Sequence, residues 1–79
     1  MVFKIVFMTP HEIYLKKIGA NIRKARTAKN IKQETLGKKV DLSKSEISRI
    51  ENGKRETKLA ILKKIANEVG VSPSSLMED

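Results

Sequence analysis

Residues 43–53, SKSEISRIENG, fix the ends of a short helix. Ser43 with Glu46 three residues later is a capping box, in which the two side chains satisfy orphan amides of the first turn reciprocally. Asn52-Gly53 supplies the exit, and Ile47 and Ile50 are left as the buried positions. A second capping box stands earlier, at Thr9-Pro10-His11-Glu12, with Pro at the first helical position. Ile13, Tyr14, Ile18, Ile22 and Ala25 recur behind it at helical spacing, which predicts an amphipathic helix ending near Lys29 with Asn30 in the left-handed conformation.

The same reasoning partitions the rest. Gln33 to Val40 carries Leu36 and Val40 four apart and leads through Asp41-Leu42 into the helix over residues 44–52. Lys54 to Lys58 is a polar connection. Leu59, Leu62, Ile65, Ala66 and Val69 mark a fourth helix stopped by Gly70, and Ser72-Pro73 caps a last short turn with Leu76 and Met77. The expected fold is all-α: a compact domain of five helices over residues 9–79, with no repeat and no room for a second domain.

Residues 1–8, MVFKIVFM, form a separate apolar segment. Val2, Phe3, Ile5, Val6 and Phe7 are β-favouring types and read as a short strand, either pairing with another subunit or packing on the helices. A dispensable leader is the alternative, since Met8 is itself able to begin a domain. The basic leader and small-residue cleavage site of a signal peptide are missing.

A chain of 79 residues buries only about 60% of the surface its unfolded form exposes, and with no Cys it has no disulfide or thiolate metal site to add stability. The charge is more informative. Lys plus Arg number 17 against 9 Asp plus Glu, a net +8. The whole excess lies between Lys16 and Lys39, where Lys16, Lys17, Arg23, Lys24, Arg26, Lys29, Lys32, Lys38 and Lys39 face only Glu34. A field localised in this way concentrates polyanions, so nucleic acid is the leading partner class. No apolar run approaches a membrane span, and with 4% aromatics no helix pairs this charge with a broad lipid-facing side. RNA is disfavoured for lack of stacking aromatics. One His, no Gly-rich phosphate loop and no clustered acids leave no catalytic, metal or cofactor site to assemble, and an enzyme is not expected. His11 reads as a surface residue.

Two short helices joined by a tight turn, Gln33 to Val40 and Lys44 to Asn52, make a helix-turn-helix. The residues resemble the Cro and lambda-repressor type of this motif, the xenobiotic-response-element-like regulators. The likeness rests on Ile18-Gly19 with Ile22-Arg23 and Arg26, Gln33-Glu34 with Leu36, Leu42-Ser43, Ile47-Ser48, the run Ile50-Glu51-Asn52-Gly53-Lys54-Arg55, then Leu62, Ile65-Ala66, Gly70-Val71 and Leu76.

The resemblance implies a sequence-specific double-stranded DNA-binding transcription regulator, with residues 44–52 as the recognition helix in the major groove. Lys44, Ser45 and Arg49 would read bases, Ser48 standing at the edge of that face. Gln33, Ser43, Asn52, Gly53, Lys54 and Arg55 would hold phosphates, the Gly53 and Lys54 amides among the donors. Arg26 and Glu51 would form an internal ion pair. The chain departs from the family pattern at three places: Asp41 where Gly is favoured at the turn, Lys32 in place of a Ser or Thr cap, and Gly37 in place of a small Ala. The last two should make the Gln33–Val40 helix the least stable element.

A single recognition helix reads few base pairs, so a homodimer on a palindromic operator is expected, joined through the Leu76/Met77 region or through residues 2–7. The cytoplasm, on the nucleoid, is the expected location. The alternative is an antitoxin or adaptor whose main role is to bind a protein partner.

Overall fold

The computed structural model describes residues 8–78. Four α-helices follow in order: α1 (Pro10–Ala28), α2 (Gln33–Val40), α3 (Lys44–Glu51) and α4 (Leu59–Val69), with a 3-10 turn at Pro73–Met77 in place of the expected fifth helix. There is no strand among the described residues, and the strand expected over the first residues falls outside them apart from Met8, which lies in no regular element.

Local chemistry accounts for the boundaries. Thr9 and Glu12 form the reciprocal cap of α1, and Ser43 and Glu46 that of α3. Lys32 precedes α2 without a side-chain cap. Asn30 (φ 56°) and Asp41 (φ 59°) take the left-handed turns, the short polar side chains being among the few that tolerate them. Asn52 remains right-handed at φ −89°, so α3 ends one residue before the expected position and the reversal passes to Gly53 at φ 69°.

The helices close around Ile18, Ile22, Leu36, Val40, Ile47, Ile50, Leu62, Ile65, Ala66, Val69 and Leu76. Each large member contributes about 1.5–3 kcal/mol by leaving water. α3 is held from both sides, by α1 and by α2. Asn21 of α1 closes the far end, its Nδ2 donating to the Leu76 carbonyl at 2.9 Å and the Glu78 carbonyl at 2.6 Å.

Three expectations change. Ile13 and Tyr14 are each 43% exposed and Leu59 is 56% exposed, so the apolar pattern of α1 and α4 extends beyond the core at their N-terminal turns. Gly37 is no simple loss of helix propensity: a Cβ there would collide with the Leu42 carbonyl oxygen, so glycine is what lets the chain after α2 cross back so tightly. Leu76 is 1% exposed and belongs to the monomer's core, which removes its side chain from any dimer surface and leaves Met77 half-buried beside it.

Candidate nucleic-acid interface

An α-helix advances about 100° per residue, which sets Lys44, Ser45, Ser48 and Arg49 along one side of α3 and Ile47 and Ile50 on the other. The apolar pair is buried, so the polar side faces outward: Lys44, Ser45 and Arg49 are exposed and Ser48 is half-buried at the edge. The fold thus presents the four residues expected to read bases as one continuous solvent-facing strip.

What holds this strip is a buried carboxylate. Glu51, 5% exposed, accepts from Arg26 Nε at 2.6 Å, Arg26 Nη2 at 2.9 Å, Gln33 Nε2 at 3.0 Å and Arg23 Nε at 3.3 Å. Arg26 also donates to the Ile31 carbonyl at 2.7 Å, so its guanidinium spans the link between α1 and α2 as well. Burial by itself raises the Glu51 pKa, but the hydrogen bonds from Arg26, Gln33 and Arg23, with the Arg26 charge, outweigh it and hold the group below the ordinary carboxylate value. One side chain therefore locks α1, α2 and α3 together beneath the exposed strip.

A second carboxylate fixes the head of α3. Glu46 accepts from the Ser43 amide at 3.0 Å through one oxygen and from Arg55 through the other. The Ser43 backbone bond, the Arg55 side chain and the Ser43 hydroxyl, in that order, lower its pKa from 4.5 to about 2.

These bonds alter the set of groups expected to meet phosphate. The Gly53 amide donates to the Ile50 carbonyl at 3.0 Å and the Lys54 amide to the Arg49 carbonyl at 2.9 Å, because the orphan carbonyls at the end of α3 take them first. Asn52 Nδ2 turns back to the Ser48 carbonyl at 2.9 Å. Gln33 Nε2 is committed to Glu51, Arg55 to Glu46, and the Ser43 hydroxyl accepts from the Glu46 amide at 3.1 Å. The Lys54 side chain is exposed.

Of the chain's four arginines, Arg23, Arg26 and Arg55 are each paired with a carboxylate. Arg49 is the one without an ion pair among the described residues, and its planar fork matches guanine O6 and N7. A polar depression lined by Arg26, Lys32, Gln33, Glu34 and Lys44 runs between the heads of α2 and α3. Lys32 therefore joins the candidate phosphate contacts, beside the uncapped first turn of α2. In the sequence Lys32 counts only toward the general basic field and as a missing cap, and its place at the head of α2 comes from the fold.

No group of three or more His, Cys, Asp or Glu able to hold a metal ion occurs among the described residues. No described helix is long and apolar enough to cross a membrane.

Comparison with known proteins identifies the family and the fold. Residues 22–76 match the helix-turn-helix family model HTH_3. The chain is 36% identical over 64 residues to control protein C.MunI of Mycoplasma sp, covering 80% of this chain and 86% of that protein. It is 38% identical over 61 residues to control protein C.BamHI of Bacillus amyloliquefaciens, covering 76% and 75% respectively. The crystal structure of the restriction-modification controller protein C.AhdI from Aeromonas hydrophila superposes with a TM-score of 0.79 at 34% identity, over 86% of this chain and 99% of that one. The chain belongs to the HTH_3 helix-turn-helix family.

Proposed function

We propose that the protein is a sequence-specific regulator of transcription that binds double-stranded DNA through α3, as a homodimer on two half-sites about 34–36 Å apart. The observation that carries this reading is the exposed strip Lys44, Ser45, Ser48 and Arg49, held rigid from beneath by Glu51 and flanked by the basic surface of α1 and α2. Lys44 and Arg49 supply donors for guanine, Ser45 and Ser48 less selective contacts, and Lys32, Lys54 and the head of α2 hold phosphate.

The likeness to the restriction-modification controller protein C.AhdI, and to the control proteins C.MunI and C.BamHI, supports a narrower role, control of a restriction-modification system. No enzymatic step enters this reading. Such a regulator works in the compartment that holds the DNA.

Binding-site selection on random duplexes, followed by titration of the selected site against salt, is the test. A recovered palindrome bound by two copies, with affinity falling steeply as salt rises, supports the reading. Equal affinity for all duplexes would sink it.

A further inference from the structure

α1 crosses the C-terminal end of α3, and four of its residues face that end. Lys16, Gly19, Arg23 and Arg26 recur at spacings of three and four and so share one side of the helix. A Cβ on Gly19 would stand 2.4 Å from the Ile50 carbonyl oxygen and 2.5 Å from that of Glu51, so the two backbones run close there. Arg23 and Arg26 are matched by the Glu51 carboxylate. Lys16, one turn before Gly19, lies against Gly53: a Cβ on that glycine would be 2.6 Å from Lys16 Cγ and 2.8 Å from its Cα. Lys16 is exposed and, among the described residues, has no acidic partner.

We propose that Lys16 contacts DNA phosphate, which makes α1 part of the interface; the assignment rests on the reading of α3 as the helix in the major groove. Free phosphate donors are few at this end of α3. The Gly53 and Lys54 amides, Asn52 Nδ2 and Arg55 are all engaged within the chain, which leaves the Lys54 side chain. Because Gly53 has no side chain and turns at φ 69°, α1 closes on it and the stem of Lys16 rests against the residue before Lys54. Two lysines from different elements therefore stand at one end of the exposed strip.

The spacing suits a duplex. The eight residues of α3 rise about 12 Å, at about 1.5 Å each, and the major groove is about 12 Å wide. Lys32 at the head of α2, and Lys16 with Lys54 beyond the tail of α3, flank the strip at its two ends, from which each side reaches one of the sugar-phosphate strands that border the groove. An ammonium on a flexible stem holds phosphate as a point charge and reads no base, so this contact adds affinity and salt dependence without sequence preference. The rival role is local, since a cation at the end of α3 also offsets the partial negative charge of its terminal carbonyls.

Salt titration and ethylation interference on the selected duplex test the proposal, with the full chain and its variants Lys16→Met, Lys16→Arg and Lys63→Met. Methionine keeps the stem over Gly53 and removes only the charge. Lys63 is an exposed lysine of α4, a helix packed on α1 and α2, so its variant lowers net charge equally away from α3. The expected result is a salt slope lower by about 0.9 per half-site in Lys16→Met, with one interfering phosphate per half-site lost. Lys16→Arg should keep the native slope, and the ratio of affinities for selected and random duplexes should not change. Lys16→Met with the native slope and interference pattern overturns the proposal, and a urea midpoint that falls in the same variant assigns Lys16 to the α3 carbonyls instead. A slope lowered equally by Lys63→Met, with no phosphate lost, overturns it in favour of bulk charge. A native chain with no salt-dependent binding to any duplex removes the reading of α3 and this contact together, whereas the other two outcomes leave that reading in place.

Discussion

Gln33 Nε2 donates to Glu51 Oε1 across 3.0 Å, tying the first residue of α2 to the last residue of α3. A residue expected from the sequence to meet phosphate is thus a structural strut. Gln33→Ala should lower unfolding free energy by about 1.5–3 kcal/mol, the range for a hydrogen bond to a charged group. Urea denaturation checks this. Weakened DNA binding with an unchanged denaturation midpoint would instead mean that Gln33 acts on phosphate alone.

The carboxylate at the other end of that bond carries more. Glu51→Ala strands Arg26, itself 9% exposed, and should cost about 3–5 kcal/mol. A thermal melt close to that of the native chain would remove the lock from the account of how α3 is held.

Gly37→Ala separates two physical effects by sign. Helix propensity alone makes the change stabilising by up to about 1 kcal/mol. The Leu42 carbonyl oxygen in the path of the new Cβ makes it destabilising, by about 1–3 kcal/mol, because the obstacle is backbone and cannot rotate away. Chemical denaturation gives the sign directly.

On DNA, Lys44→Ala and Arg49→Ala should each cost about 1–3 kcal/mol at the selected site and relax base preference there. Lys54→Ala should weaken all duplexes alike and reduce the salt slope by about 1. Retained base preference in the Arg49 variant would place the reading face elsewhere on α3.

Acid should unfold the protein through its two bonded carboxylates. Glu46 and Glu51 both titrate lower folded than unfolded, so as pH falls through the ordinary glutamate value of 4.5 the unfolded chain takes up more protons. Their contribution is complete above that pH and is lost as pH falls toward about 2, the folded value for Glu46. Glu46→Gln should flatten the acid limb of a stability-against-pH curve, and an unaltered limb would contradict the assignment.

The helix pattern was legible because caps and stops are local: Thr9 with Glu12, Ser43 with Glu46, Asp41 and Gly70 each act within a few residues of themselves. The Arg26 and Glu51 contact was readable only through the family pattern, since 25 residues separate them. Arg23 and Gln33 joining the same carboxylate depends on how three helices meet and left no local signal, while Arg55 reaches Glu46 only because the link after α3 folds back along it. The Gly53 and Lys54 amides were assigned to phosphate although the carbonyls at the end of α3 lay nearer. The burial of Leu76 is not local either, because a leucine in a short turn reads alike whether it fills its own core or a neighbour's.

The clamp from Asn21 to the Leu76 and Glu78 carbonyls joins positions 55 and 57 residues apart. In a chain made from its N-terminus, α1 is synthesised early, yet its partners in α3 and in the 3-10 turn follow only later. The turn between α2 and α3 closes over a few residues, so this pair is able to form while α1 still waits. The part of α1 that the 3-10 turn covers therefore stays in water until the turn has been made, whatever α3 and α4 have already buried.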